Sequence, residues 1–346
     1  MTDEQQPPPP MEAPPPPPGS GPFAFPPPPE QQPYGVPRGF YPLDLDAIAR
    51  NTASIFRFAW PTLLGVALVP NVIVYALMVP LAAIASPGFN RWLVQYQESV
   101  PLREIPPFPE ELKVPLVLLV LAGFASALVG LIVSAAVVQI GDSVFRGRPV
   151  SVREALGFAI RRAPAVIGGQ LLLFLAAFGI VLLGIVFGAF MIAGGSAAAF
   201  LGLVLIVASF AALMFLAIRW SLLVQTVVIE RVGAVDGLSR SWRLVAGSGW
   251  RVLGYLFLLG LVAGVVAAIF SAVPEAVLKL DGSNASGAAI GTMFDGIAAI
   301  LLAPIAPLVM LFLYYDLRFK KGEPAPQPGE ARQQEQEQAG PDPARL

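Results

Sequence analysis

The sequence predicts an all-α integral membrane protein. Six transmembrane helices are expected as three parallel hairpin repeats, each preceded by a cytoplasmic interfacial amphipathic helix. Three observations carry this expectation. Of 346 residues, 55% are hydrophobic and only 13% charged, about half the charge of an ordinary soluble domain, so the long apolar stretches need lipid around them. The basic residues then gather in alternate connections between those stretches. Finally, one short pattern recurs ahead of three successive pairs of apolar stretches.

The chain opens with a Pro-rich arm, residues 1–42, which holds 17 of the 36 prolines. Proline fixes φ and lacks an amide donor, so runs such as Pro7–Pro10, Pro14–Pro18 and Pro26–Pro29 form only extended segments or turns. With little apolar surface to bury, the arm is expected to be disordered. It reads either as a solvated tether or as a ligand for a protein partner with an aromatic-lined groove, helped by Phe23, Phe25, Tyr34, Phe40 and Tyr41. A basic n-region and continuous apolar h-region are lacking, so the arm is not a signal peptide. Residues 322–346, rich in Pro, Gln and Glu, form a second disordered tail.

Between the two, residues 43–321 form the transmembrane domain. The first span is Trp60–Ala85, with Pro70 and Pro80 as expected kinks. The second is Val114–Ile140. No charged residue occurs between Pro164 and Ile218, too long a run for one crossing at about 20 residues per helix. Gly194-Gly195-Ser196 divides it into a third span, Ala165–Ala193, and a fourth, Ala197–Ile218, with Trp220–Ile229 continuing as helix into the interface. The fifth span is Val252–Val273. The sixth runs from Ala289 to Tyr315 with Pro304 and Pro307 inside it.

Charge sets the expected orientation. Arg50, Arg57, Arg146, Arg148, Arg153, Arg161, Arg162, Arg219, Arg231, Arg240, Arg243, Arg251, Arg318, Lys320 and Lys321 fall on one side. Arg91, Arg103, Lys113 and Lys279 fall on the other, which makes fifteen against four. The positive-inside rule puts both termini in the cytoplasm. Ser86–Lys113 and Pro274–Ala288 become outer loops, the first carrying an amphipathic piece around Arg91–Glu98.

The repeat shows where each hairpin begins. An acid, a small residue and an aliphatic one stand at Asp46-Ala47-Ile48, Glu154-Ala155-Leu156 and Asp236-Gly237-Leu238. An acid suits the positive end of a helix dipole. Apolar residues follow at helical spacing, with arginines on the opposite face, as in a helix lying among headgroups. Fourteen residues after the acid stand Trp60 and Trp250, as interfacial aromatics would; Pro164 is near that point in the second copy. All three units enter from one side, so the repeats are parallel rather than inverted.

Composition excludes several chemistries. There is no Cys and no His, hence no disulfide, thiolate nucleophile, imidazole base or histidine-ligated metal, and no cofactor is expected. The net charge of -1 gives no reason to expect nucleic acid. The expected partners are membrane lipids with anionic headgroups, met by Arg50, Arg57, Arg153, Arg161, Arg162, Arg240, Arg243 and Arg251. Asn71, Gln170 and Asp295 are the polar residues at or near spans that could line a path. Asp295 reads either as an intramembrane carboxylate with a function or as a residue at the outer edge where the helix begins. Gly184-x-x-x-Gly188 and Gly260-x-x-x-Gly264 permit close helix contact.

The densest local pattern is Glu230-Arg231 followed by Leu238-Ser239-Arg240-Ser241-Trp242-Arg243-Leu244-Val245, Gly247, Trp250-Arg251 and Gly254. With the closing Leu313-Tyr314-Tyr315-Asp316-Leu317-Arg318 and the Pro-rich start, it resembles an uncharacterised bacterial, largely actinobacterial, family of membrane proteins. That family is similar to the glycerophosphoryl diester phosphodiesterase membrane domain, without the catalytic domain. The resemblance covers residues 43–321, and it implies the bacterial plasma membrane. The family's catalytic barrel uses His and metal-binding carboxylates, and this chain has no His and no length left for a barrel, so no enzymatic activity carries over. The expectation is a non-catalytic multi-pass protein that scaffolds or assists an envelope or lipid-related process through its basic interfacial helices. The alternative is a transporter or permease subunit with a path lined by Asp295, Asn71 and the Pro304/Pro307 helix.

Overall fold

A backbone in lipid must satisfy its own hydrogen bonds, and a helix does so within a single segment. The computed structural model describes residues 43–99, 106–193, 195–281 and 284–324; of the segments for which the sequence predicts disorder, the arm 1–42 and residues 325–346 of the tail 322–346 lie outside them, whereas Glu323 at the start of that tail is ion-paired to Arg240. Among the described residues there are helices and no strands, and six helices are long and apolar enough to cross a membrane.

The first hairpin pairs α1 (Leu45–Ser99) with α2 (Glu110–Phe145). Asp44 caps α1, its Oδ1 accepting from the Ala47 amide at 2.8 Å. The helix turns at Ala59 (φ -110°, ψ 17°), two residues ahead of Pro61, whose ring clashes with the preceding turn and removes a donor. Beyond that turn about 40 residues run to Ser99, roughly 60 Å of helix against a hydrocarbon core of about 30 Å. Much of the outer loop expected at Ser86–Lys113 is therefore helical. α1 passes through Pro87, and Trp92 packs between Phe89, Tyr96 and Phe108 at ring distances of 5.9, 5.6 and 5.2 Å.

The second hairpin joins α3 (Val152–Val181), a π turn at Leu182–Val186 and α4 (Phe187–Ala193) to α5 (Ser196–Arg219). Ser151 caps α3, its hydroxyl accepting from the Glu154 amide at 3.3 Å, the start of a capping box. The break expected at Gly194-Gly195-Ser196 is where α5 begins, with Gly195 at φ 115°. Two short helices follow, α6 (Leu223–Ile229) and α7 (Ala234–Val245). Arg231, between them, has φ 56°, rare for a residue with a Cβ, and the Arg162 guanidinium donates to its carbonyl at 2.9 Å.

The third hairpin is α8 (Gly249–Asp281) with α9 (Asn284–Leu302), followed by α10 (Ile305–Lys320) after a break at Pro304. Its α9 lies along α1, and Gly296 is the point of close approach, where a Cβ would come within 2.9 Å of the Tyr75 ring. Every residue of α10 from Leu311 to Leu317 is buried, enclosed by α1, α2, α6 and α7.

The expected repeat is embodied unevenly. Only α7 is a separate amphipathic helix; in the first unit the corresponding segment is joined to its span through the Ala59 turn, and in the second it runs unbroken into the span through Pro164. Pro164 stands in the interior of α3, where it removes one backbone hydrogen bond, and the helix nevertheless continues through it. Trp60 and Trp250 are both outward-facing, as the repeat predicts.

Burial is concentrated at one end, the basic end. It takes in Val133–Phe145 of α2, the first half of α3, α6, the inner face of α7, Val252 and Tyr255 of α8, and α10. Toward the other end the second hairpin packs on itself. From Gln170 to Leu183 nothing is buried, and then Gly184 and Gly188 meet Ser209, Gly202 and Ile206 of α5.

Candidate functional site

At the basic end the helix termini bring charges together that are far apart in the chain. Asp316, on the buried face of α10, has no exposed surface. Its Oδ1 accepts from the Leu43 amide at 2.8 Å, and its Oδ2 lies 3.2 Å from Arg251 and 3.1 Å from Lys320. Arg251 also donates to the Leu43 carbonyl and stacks 5.8 Å from the Tyr255 ring. A carboxylate taken out of water is stabilised only by such paired charges and donors. The start of α8, the end of α10 and the residue leading into α1 are thus fastened at a single point.

A second cluster joins α6, α7 and the residues after α10. Glu230, one residue past α6, accepts two bonds from Arg240 Nε, at 2.8 and 2.9 Å, and one from the Tyr314 hydroxyl at 2.7 Å. Arg240 reaches onward to Glu323, 2.8 Å from Nη1, and Arg318 lies 3.4 Å from the same carboxylate. The hydrogen bond to Glu323 first, and then that to Glu230, raise the Arg240 pKa, and burial opposes them. In return the Arg240 hydrogen bond holds Glu323 below the usual carboxylate range, again against burial. Tyr315 donates to Asp142 of α2, which also pairs with Arg146 at 2.8 Å.

Neutral groups attach α7 from beneath. Ser241, fully buried, donates to the Arg219 carbonyl at 2.9 Å and accepts from the Leu222 amide at 3.2 Å. Thr226 reaches the Gly237 carbonyl at 3.1 Å. Gly237 is the small residue of the third repeat copy, and a Cβ there would fall 2.6 Å from Val227. The repeat's small position therefore marks where an approach helix lies against its neighbour; Ala155, its counterpart in the second copy, is also fully buried.

The arginines named from sequence divide into two groups. Arg240 and Arg251 are held in the internal ion pairs above, and Arg162 bonds the Arg231 carbonyl. Arg50, Arg57, Arg153, Arg161 and Arg243 point outward, Arg50 with an ion pair to Asp46 one turn earlier. Arg50 and Arg57 line a shallow open hollow on α1 with Ala53, Ser54 and Phe58.

The polar residues near spans are not brought together. Asn71 is buried, its amide donating to the Ala67 carbonyl at 2.7 Å, one turn back on α1. Gln170 is partly exposed on α3. Asp295 is exposed on α9, 21 residues before Asp316, at most about 31 Å along the axis at 1.5 Å per residue. Among the described residues no group of three carboxylates gathers closely enough to hold a metal ion.

Asp142, Glu230, Asp316, Tyr314, Tyr315 and Glu323 form this layer, and none is among the site residues expected from the sequence. The signal was present: Asp142, Glu230 and Asp316 are single acids at the basic ends of apolar spans, where a lone carboxylate needs a partner. Compared with protein families, curated proteins and solved structures, the chain matches none.

Proposed function

We propose that this chain is a non-catalytic multi-pass membrane protein that scaffolds or assists an envelope or lipid-related process, holding its basic, cytoplasmic end against anionic lipid. The carrying observation is the outward set Arg50, Arg57, Arg153, Arg161 and Arg243, on helix segments whose opposite faces are packed into the bundle. Near an anionic surface each such residue contributes about 1 kcal/mol, so the five act together. Likeness of Glu230–Gly254 to the glycerophosphoryl diester phosphodiesterase membrane domain belongs to the same reading, and the Glu230–Arg240 pair and the Ser241 bonds supply a structural reason for that pattern.

The test uses the full chain in nanodiscs of phosphatidylcholine with or without phosphatidylglycerol. Melting temperature should rise with the anionic fraction, and the rise should shrink at high salt. Replacing all five arginines by Gln should remove most of the dependence while leaving helix content intact. An unchanged dependence in that variant would refute the reading. Measured flux of a solute through proteoliposomes, lost in Asp295→Asn, would favour a transporter instead.

A further inference from the structure

We propose that the flank between α5 and α8 is a site for one anionic phospholipid, with its phosphate against Arg219 and its acyl chains along the apolar surfaces of the two helices. This rests on reading the basic end as lipid-facing and names a particular seat within it.

Arg219 is the first charged residue after the long uncharged stretch, so it stands at the level where a span leaves the hydrocarbon and phosphates begin. Its guanidinium lies 5.0 Å from the Phe215 ring and 5.0 Å from the Trp242 ring. These two rings meet edge to face at 5.5 Å, with Trp220 6.2 Å from Trp242. Rings orient the cation but do not neutralise it, and among the described residues no carboxylate lies within ion-pair distance of it. Arg240 and Arg251, on the neighbouring segments, both have carboxylates. Arg219 is partly exposed and Arg243, beside Trp242, is exposed. A phosphate monoanion is the complement that the pair lacks, and guanidinium presents a fork of donors suited to it.

Below this point the flank is apolar and open. α5 and α8 touch at the basic end, where Gly249 approaches Ile218. Further along, α8 has no buried residue from Leu256 to Ala272, and among the described side chains of α5 only Gly202 and Ser209 are buried, both against α4 and the π turn. Phe215 stands one turn below Arg219, where an acyl chain leaving the headgroup would pass. Trp250, 87% exposed, stands at the start of α8, a place that interfacial tryptophans favour.

Quenching of tryptophan fluorescence by brominated acyl chains reads the seat directly. In the full chain with Trp60→Phe and Trp92→Phe, the remaining tryptophans are Trp220, Trp242 and Trp250. Within nanodiscs, brominated phosphatidylglycerol should quench at about tenfold lower mole fraction than brominated phosphatidylcholine, the factor expected of one charge-assisted hydrogen bond. Arg219→Gln should remove that preference and Arg219→Lys should keep most of it. Equal quenching by the two lipids, or a preference that survives Arg219→Gln, would overturn the proposal. If Arg219→Gln does not fold, the ratio in the otherwise unaltered chain decides alone. Full reversal by soluble glycerophosphoglycerol would overturn the lipid in favour of a free phosphate ester. A variant lacking Arg50, Arg57, Arg153 and Arg161, with Arg243 kept, separates the two levels: it should lose most of the anionic stabilisation of the surface yet keep the Arg219-dependent quenching.

Discussion

Asp316 shows how a single side chain organises the basic end. Fully buried, it holds Arg251, Lys320 and the Leu43 amide at once. Asp316→Asn would leave Arg251 and Lys320 without their carboxylate, and because both are partly exposed the cost is discounted to about 2 kcal/mol. Denaturation in detergent should show that loss, and Arg251→Met in the same background should recover part of it. Glu323 gives a pH dependence with a definite sign. Its folded-state pKa lies below the ordinary value because Arg240 bonds the ionised form. The unfolded chain therefore takes up its proton first as pH falls, and the stabilisation, complete above the ordinary carboxylate range, fades as pH drops through the Glu323 value. A melting-temperature profile should lose part of its acid slope in Glu323→Gln, while neutral-pH stability falls slightly.

Among the elements, the two glycine motifs have opposite fates. At Gly188 a Cβ would fall 2.7 Å from the Gly202 carbonyl, whereas Gly260 and Gly264 of α8 have no atom within 4 Å of that position. Gly188→Val should separate α4 from α5 at a cost of about 1–3 kcal/mol. Gly260→Ala should leave stability within about 1 kcal/mol or raise it, since Ala favours helix. Thermal unfolding in detergent compares the two directly. Helical periodicity placed both motifs on spans, but the identical spacing carries no information about which face has a neighbour. The approach helices teach the same lesson. Asp46, Glu154 and Asp236 mark helix starts legible in sequence, but whether each segment turns, breaks or runs on depends on Pro61, Pro164 and Gly247 in their packed surroundings.

For the whole molecule, the two described ends of the chain lie together, Leu43 on Asp316 and Glu323 on Arg240. The even number of crossings follows from that. We expect this end to be cytoplasmic. Because the native chain has no Cys, Lys321→Cys should react with an impermeant maleimide only after cells are permeabilised, whereas Gln97→Cys should react in intact cells. Reversed labelling would place the basic end outside.

Local properties of the sequence by themselves determined the membrane class, the six spans, the break at Gly194-Gly195 and the uneven distribution of charge, because hydropathy and helix signals are read within one or two turns. Only the tertiary structure decided which arginines face outward and which are held inside, and which small residues touch a neighbour. Arg240 and Arg243 stand three positions apart on one short helix, and the first is enclosed by Glu230 and Glu323 and the second left in the open. Such assignments depend on partners as distant as Leu43 and Asp316, 273 positions apart, and no periodicity within a helix encodes a contact between residues that far removed.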